Sequence, residues 1–174
     1  MSCANTITCC PPETFGYTAV DPCRNIVPAM TSNTTPDGEA SADSVLGTAN
    51  KAFKAFDHLL TVGYWSPSNT AYPHWVQYKF PFAKTIKSYA IYKVAAIFAP
   101  SAWTVQGSNN GSTWTTIDTR SAQTWTGSET HKEFNITTPG SYQYYRFNFT
   151  SNQGPTPGLT VVQIREITMS QCTL

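Results

Sequence analysis

Three histidines, five cysteines and ten acidic residues are the groups of this 174-residue chain that can carry covalent, metal or acid–base chemistry. His58, His74 and His131 lack the H-E-x-x-H spacing that sets two imidazoles on one helical face around zinc, no G-x-S-x-G elbow occurs, and no glycine-rich phosphate loop ends in Lys. A glycosidase needs two carboxylates facing each other across a cleft, and nothing selects such a pair here. The expectation is therefore that the chain is not an enzyme. The cysteines stand at positions 3, 9, 10, 23 and 172. The four near the N-terminus lack the paired C-x2-C knuckles of a zinc site, so thiols or disulfides in an arm are the plainer reading.

Such residues need elements to position them. With 40% apolar and 13% aromatic residues the chain can bury the core of one domain. Its net charge of +1, without any run of basic residues, points away from nucleic acid. No stretch approaches the roughly 20 apolar residues of a membrane span, and the N-terminus has no basic region followed by an apolar one, which predicts a chain outside the usual secretion route. On that reading the sequons at Asn33, Asn110, Asn135 and Asn148 stay unmodified.

Residues 1–25 are dense in Cys and Pro and hold no periodicity, and they read as an irregular arm before a domain spanning 26–174. In that domain the segments 75–80, 86–94, 102–108, 114–120, 131–136, 144–150 and 161–169 alternate or cluster apolar residues as strands do, separated by turn-rich loops. Closely spaced strands with little helical pattern predict an all-β antiparallel sandwich. "TANKAFKAFDHLL" reads as a turn or two of helix. In "AWTVQGSNNGSTWTTI", 102–117, Asn110-Gly111 sits between two alternating flanks and predicts a tight hairpin rather than a ligand loop.

"KAFD" at 54–57, Trp65, "HWVQYKF" at 74–80, "IKSYAIY" at 86–92, "AWTVQGSNNGSTWTTID" at 102–118, "YYRFNFTSNQG" at 144–154 and "IREITM" at 164–169 together resemble a discoidin domain. That family, coagulation factor 5/8 type C, overlaps galactose-binding-like carbohydrate-binding modules, and "MTSNTTPDGEASADS" is similar to copies in bacteriophage structural proteins. The resemblance implies an eight-stranded jelly-roll sandwich with ligand loops at one end, and with Trp103 and Trp114 in the core or on a sheet face. It brings the termini together, so that Cys23 and Cys172 become a disulfide candidate. It also implies a structural calcium on Asp57, Thr61 and Glu166, although His58 stands where the family has Gly. No other cofactor is expected.

For sugar-binding members the resemblance places polar loop residues around an aromatic platform. Here the first loop offers Asn69, Tyr72 and His74, the second the apolar Ile97 and Phe98, and the last Asn152, Gln153 and Leu159. An exposed Ile97-Phe98 tip marks a docking surface; the alternative is that Phe98 folds back into the sandwich. The expected function is a non-enzymatic phage virion protein on the particle surface, as a capsid decoration, head-fibre or tail component. It would be present in several copies and fixed to other virion proteins by its arm. The alternative is a carbohydrate-binding module that adheres to a host-surface glycan or targets a glycan-active assembly.

Overall fold

Residues of period two dictate the strands, because a sheet packed on one face sorts its side chains alternately inward and outward. The computed structural model describes residues 23–68, 71–154 and 161–174. Among them are strands β1 (Glu39–Ala42), β2 (His74–Thr85), β3 (Ser88–Lys93), β4 (Pro100–Ser108), β5 (Thr115–Arg120), β6 (His131–Asn135), β7 (Ser141–Asn152) and β8 (Ile164–Ser170). They make a five-stranded sheet in the order β1-β2-β7-β4-β5 and a three-stranded sheet in the order β6-β3-β8, with every pair antiparallel. This is the all-β jelly-roll sandwich.

The larger sheet turns Val76, Tyr78, Phe80, Trp103, Val105, Tyr145, Phe147 and Phe149 inward, and the smaller one answers with Tyr89, Ile91, Phe134, Ile167 and Met169, all buried. Their rings meet edge to face across the gap, Tyr89 to Phe147 at 5.2 Å and Trp103 to Phe134 at 5.2 Å. Each such side chain contributes about 1.5–3 kcal/mol when fully buried. A polar thread also crosses the core: Trp103 Nε1 donates to the Tyr89 hydroxyl at 2.9 Å, which donates to Asp118 Oδ2 at 2.7 Å. Burial alone would raise the Asp118 carboxyl, but bonds from Arg120, Thr137 and Tyr89 outweigh it and hold the group below the usual range.

The helical segment gives its turn or two as short 3-10 turns, Thr48–Asn50 and Ala52–Ala55, separated by an extended Lys51. The hairpin and the first strand depart from expectation. The hairpin between β4 and β5 is wider than a two-residue turn. Ser108 Oγ accepts the Asn110 and Gly111 N–H groups, Asn110 Oδ1 accepts those of Ser112 and Thr113, and Gly111 alone takes a positive φ, 71°. β1 had no visible strand pattern, since of its four residues only Ala40 is buried. It forms because the edge of β2 opposite β7 offers unpaired backbone groups, and pairs with that edge from Glu39↔Lys79 to Ala42↔Val76.

The two ends of the domain meet. Cys23 and Cys172 form a disulfide with their Cα atoms 4.9 Å apart, and the Ile26 N–H donates to the Met169 carbonyl at 2.9 Å. Trp103 lies in the core, and Trp114 lies half-exposed on the outer sheet face. The expected arm lies almost wholly in residues 1–22, outside the described residues, and so do Cys3, Cys9 and Cys10. Among the described residues no helix is long and apolar enough to cross a membrane.

Candidate functional site

Strand register gathers the ligand loops at one pole. His74 pairs with Phe149, Pro100 with Asn152 and Tyr92 with His131, so the chain before β2, between β3 and β4, between β5 and β6, and between β7 and β8 turns at the same end. Most polar residues expected to bind ligand there hold the loops to one another instead. Gln153 donates from Nε2 to the Trp125 carbonyl at 2.8 Å and accepts the Trp125 N–H on Oε1, while its own N–H reaches the Ala99 carbonyl at 2.8 Å. Asn152 Nδ2 donates to the Val161 carbonyl at 2.7 Å. Both side chains close backbone groups that no ladder satisfies.

His74 is likewise corrected from a ligand group to a buried structural one. It has no exposed surface, and Nδ1 lies 3.0 Å from Asp43 Oδ2, while Asp43 Oδ1 accepts the Trp75 N–H at 2.9 Å. Tyr72 packs its ring 5.0 Å from that of His74, and burial pushes its phenol well above the usual range. Ile97 stands on the surface, 50% exposed, at the crest of a 3-10 turn Ala96–Phe98, and Phe98 is half-buried, its carbonyl accepting the Gln163 N–H. Asn69 and Leu159 lie outside the described residues.

The residues implied for calcium do not suit it. A hard dication needs six or more oxygens, yet the Lys54 ammonium already sits 2.9 Å from Asp57 Oδ2, and the Leu59 N–H takes Asp57 Oδ1 at 3.0 Å. Glu166 accepts the His58 N–H on Oε2 at 3.0 Å, and Thr61 is exposed toward a separate recess. Glu166 is almost wholly buried with Oε1 unpartnered among the described residues, and burial pushes its carboxyl up to about 9. An aspartate whose two oxygens are already taken by Lys54 and by the Leu59 N–H has little to offer a cation. Among the described residues no group of three His, Cys, Asp or Glu side chains comes together for a metal.

The same pole opens a recess of about 410 Å³ that none of the expected sugar-binding loop residues lines. Its walls include Leu60, Thr61, Tyr92, Lys93, Glu129 and Arg165. Tyr92 is held by stacking on His131 at 4.6 Å and 14°, and Arg165 by donating from Nη1 to the Gly63 carbonyl at 2.7 Å. Glu129 accepts the Thr126 N–H at 2.7 Å, which with nearby Lys132 keeps its carboxylate below the usual range. One fixed ring, two cations and one carboxylate around a small hollow can hydrogen-bond several hydroxyls while an apolar face rests on the ring. The signal for these residues was faint: Tyr92 and Lys93 end a strand, and Glu129 sits in a loop that shows no motif.

The F5/8 type C domain family matches residues 37–165. Chitosan-binding module 1 of a chitosanase/glucanase from Paenibacillus sp. IK-5 is 21% identical, with a TM-score of 0.62 over 79% of this chain and 98% of its own. The family 32 module of NanJ from Clostridium perfringens, solved in complex with galactose, is 18% identical, with a TM-score of 0.62 over 76% of this chain and 92% of its own. A second Clostridium perfringens module, solved with GalNAc-β-1,3-galactose, is 13% identical, with a TM-score of 0.63 over 76% and 94%. At these identities the likeness is one of fold. No curated protein matches the sequence.

Proposed function

Because the chain belongs to the F5/8 type C domain family, we propose that it is a non-catalytic carbohydrate-binding module that takes a pyranose in the recess at its loop pole. The observation that carries this reading is the recess itself, where Tyr92, Lys93, Glu129 and Arg165 converge around a hollow of about 410 Å³, room for a pyranose and its water. Structures of the same fold hold galactose and chitotriose, which makes those sugars the first probes. Titration with both, followed by a glycan array, tests it. Binding is expected, weakened about tenfold by Tyr92→Ala or Lys93→Ala, as loss of a stacked ring or a charged hydrogen bond of about 1.4 kcal/mol requires. Sugar affinity unchanged in both variants, or no sugar bound, removes the recess as the site.

The second reading, a virion component displayed in several copies, needs the loop pole to dock on protein, and four exposed apolar side chains there, Leu59, Leu60, Val62 and Ile97 at 45%, 50%, 59% and 50%, suit docking. In that reading the loop pole meets another protein, and the chain would co-purify with phage particles while ignoring every sugar on the array.

A further inference from the structure

The outer face of the five-stranded sheet displays a rigid guanidinium that forms no ion pair among the described residues. The alternation that sends Tyr145 and Phe147 inward turns Arg146 outward from β7, with Gln77 of β2 and Gln106 of β4 beside it in register. Arg146 Cζ lies 4.1 Å from the ring centroid of Trp75, on β2, and 3.9 Å from that of Trp114, just before β5. Strand order puts those two indoles on opposite sides of it. Nε donates to Gln77 Oε1 at 2.9 Å, and among the described residues nothing accepts from Nη1 or Nη2. The acid that acts on it most, Asp43, is already engaged by His74 and by the Trp75 N–H.

A guanidinium fixed this way loses little side-chain freedom on binding, and its free fork matches a carboxylate with two parallel hydrogen bonds. Further positive charge comes from Lys79, which lies over the Tyr144 ring and pairs with Glu39 only at 4.0 Å. Aromatic surface surrounds the fork, since Tyr144 packs at 6.3 Å from Trp114. Polar groups lie in the adjoining rows, where Thr104 pairs with Asn148 and keeps a buried Oγ1 without a partner among the described residues. A fork for an anion, indole rings for stacking, and amides and hydroxyls around them are the complement of an acidic pyranose.

We propose that this face is a second site that binds an anionic polysaccharide, with a uronate carboxylate on Arg146 and the sugar ring against Trp75 or Trp114. An extended peptide would instead need an open sheet edge or apolar pockets for its side chains, and Arg146 lies on an inner strand. The site is separate from the loop-pole recess and does not rest on sugar binding there.

Hexameric oligogalacturonate, its methyl ester and poly-L-glutamate, titrated against the full chain at low and high salt, test the proposal. The acid oligomer is expected to bind, with the ester and polyglutamate at least tenfold weaker and with affinity falling as salt rises. Arg146→Gln is expected to lose at least tenfold and Arg146→Lys, which keeps the charge without the fork, to lose part of it. Melting curves show that each variant is folded; should Arg146→Gln fail to fold, the lysine variant carries the test. No binding of the acid, equal binding of the ester or polyglutamate, or full affinity in a folded variant overturns it. Galactose titrated in parallel reads the recess, so failure there leaves this site standing.

Discussion

Glu166 shows what burial does to a single carboxyl. A side chain 1% exposed, with one oxygen on a backbone N–H and the other unpartnered among the described residues, is favoured in its neutral form, and burial lifts it from 4.5 to about 9. Because the folded state binds this proton more tightly than the unfolded chain, the stabilisation from the neutral form is complete below the unfolded value. It declines as pH rises through the window from about 4.5 to about 9. At pH 7 the loss relative to a permanently neutral group is about 3 kcal/mol. Glu166→Gln is therefore expected to raise Tm by several degrees at pH 8 and to change it little at pH 4, while excess chelator leaves the wild-type curve unmoved. A variant effect equal at both pH values, or a drop in Tm on chelation, would show that the site holds a charged carboxylate and a cation.

Strands and turns show which sequence signals carry through to structure. β2, β4 and β7 were legible because one face of each packs on the core, so that 76, 78 and 80, or 145, 147 and 149, had to be apolar. β1 was not legible, because backbone pairing with β2 rather than side-chain burial holds it. At the loop pole the sequence could not separate ligand groups from clamps. Asn152 and Gln153 are the same chemistry whether they bond a sugar hydroxyl or the Val161 and Trp125 backbone, and only the register decides. Gly107 is a sharper case. On β4, it lies where a Cβ would come 2.3 Å from Cδ2 of Tyr142, whose ring packs at 6.0 Å against Tyr145. Gly107→Ala must push that ring away, with an expected loss of about 1–3 kcal/mol. The matched Gly127→Ala, where no atom lies within 4 Å, should fall within about 0.5 kcal/mol of wild type in urea unfolding. Equal midpoints for the two variants would mean that Tyr142 moves freely.

At the scale of the whole molecule, the sandwich has a loop pole and a closed pole. β8 begins at the loops with Ile164 and ends at Ser170, two residues before the half-cystine that joins Cys23, so Cys23 lies at the pole away from the recess. Local bonds also hold the closed pole: Ser88 Oγ donates to the Cys172 carbonyl at 2.6 Å, and Asn25 Oδ1 accepts the Met169 N–H at 3.0 Å. The disulfide therefore acts mainly on the unfolded chain. Its two cysteines are 149 positions apart in sequence, a closure that removes entropy equivalent to about 5 kcal/mol. Paired Cys23→Ser and Cys172→Ser substitutions are expected to lower Tm by roughly 10 to 20 °C, given about 2–4 °C per kcal/mol for a chain of this length, while the circular dichroism of the folded state stays unchanged. Reductant should bring wild type down to the variant's Tm and leave the variant unaffected. A wild-type Tm indifferent to reductant would mean that the bridge is open in solution and that the hydrogen bonds between Asn25, Ser88 and β8 close this pole by themselves.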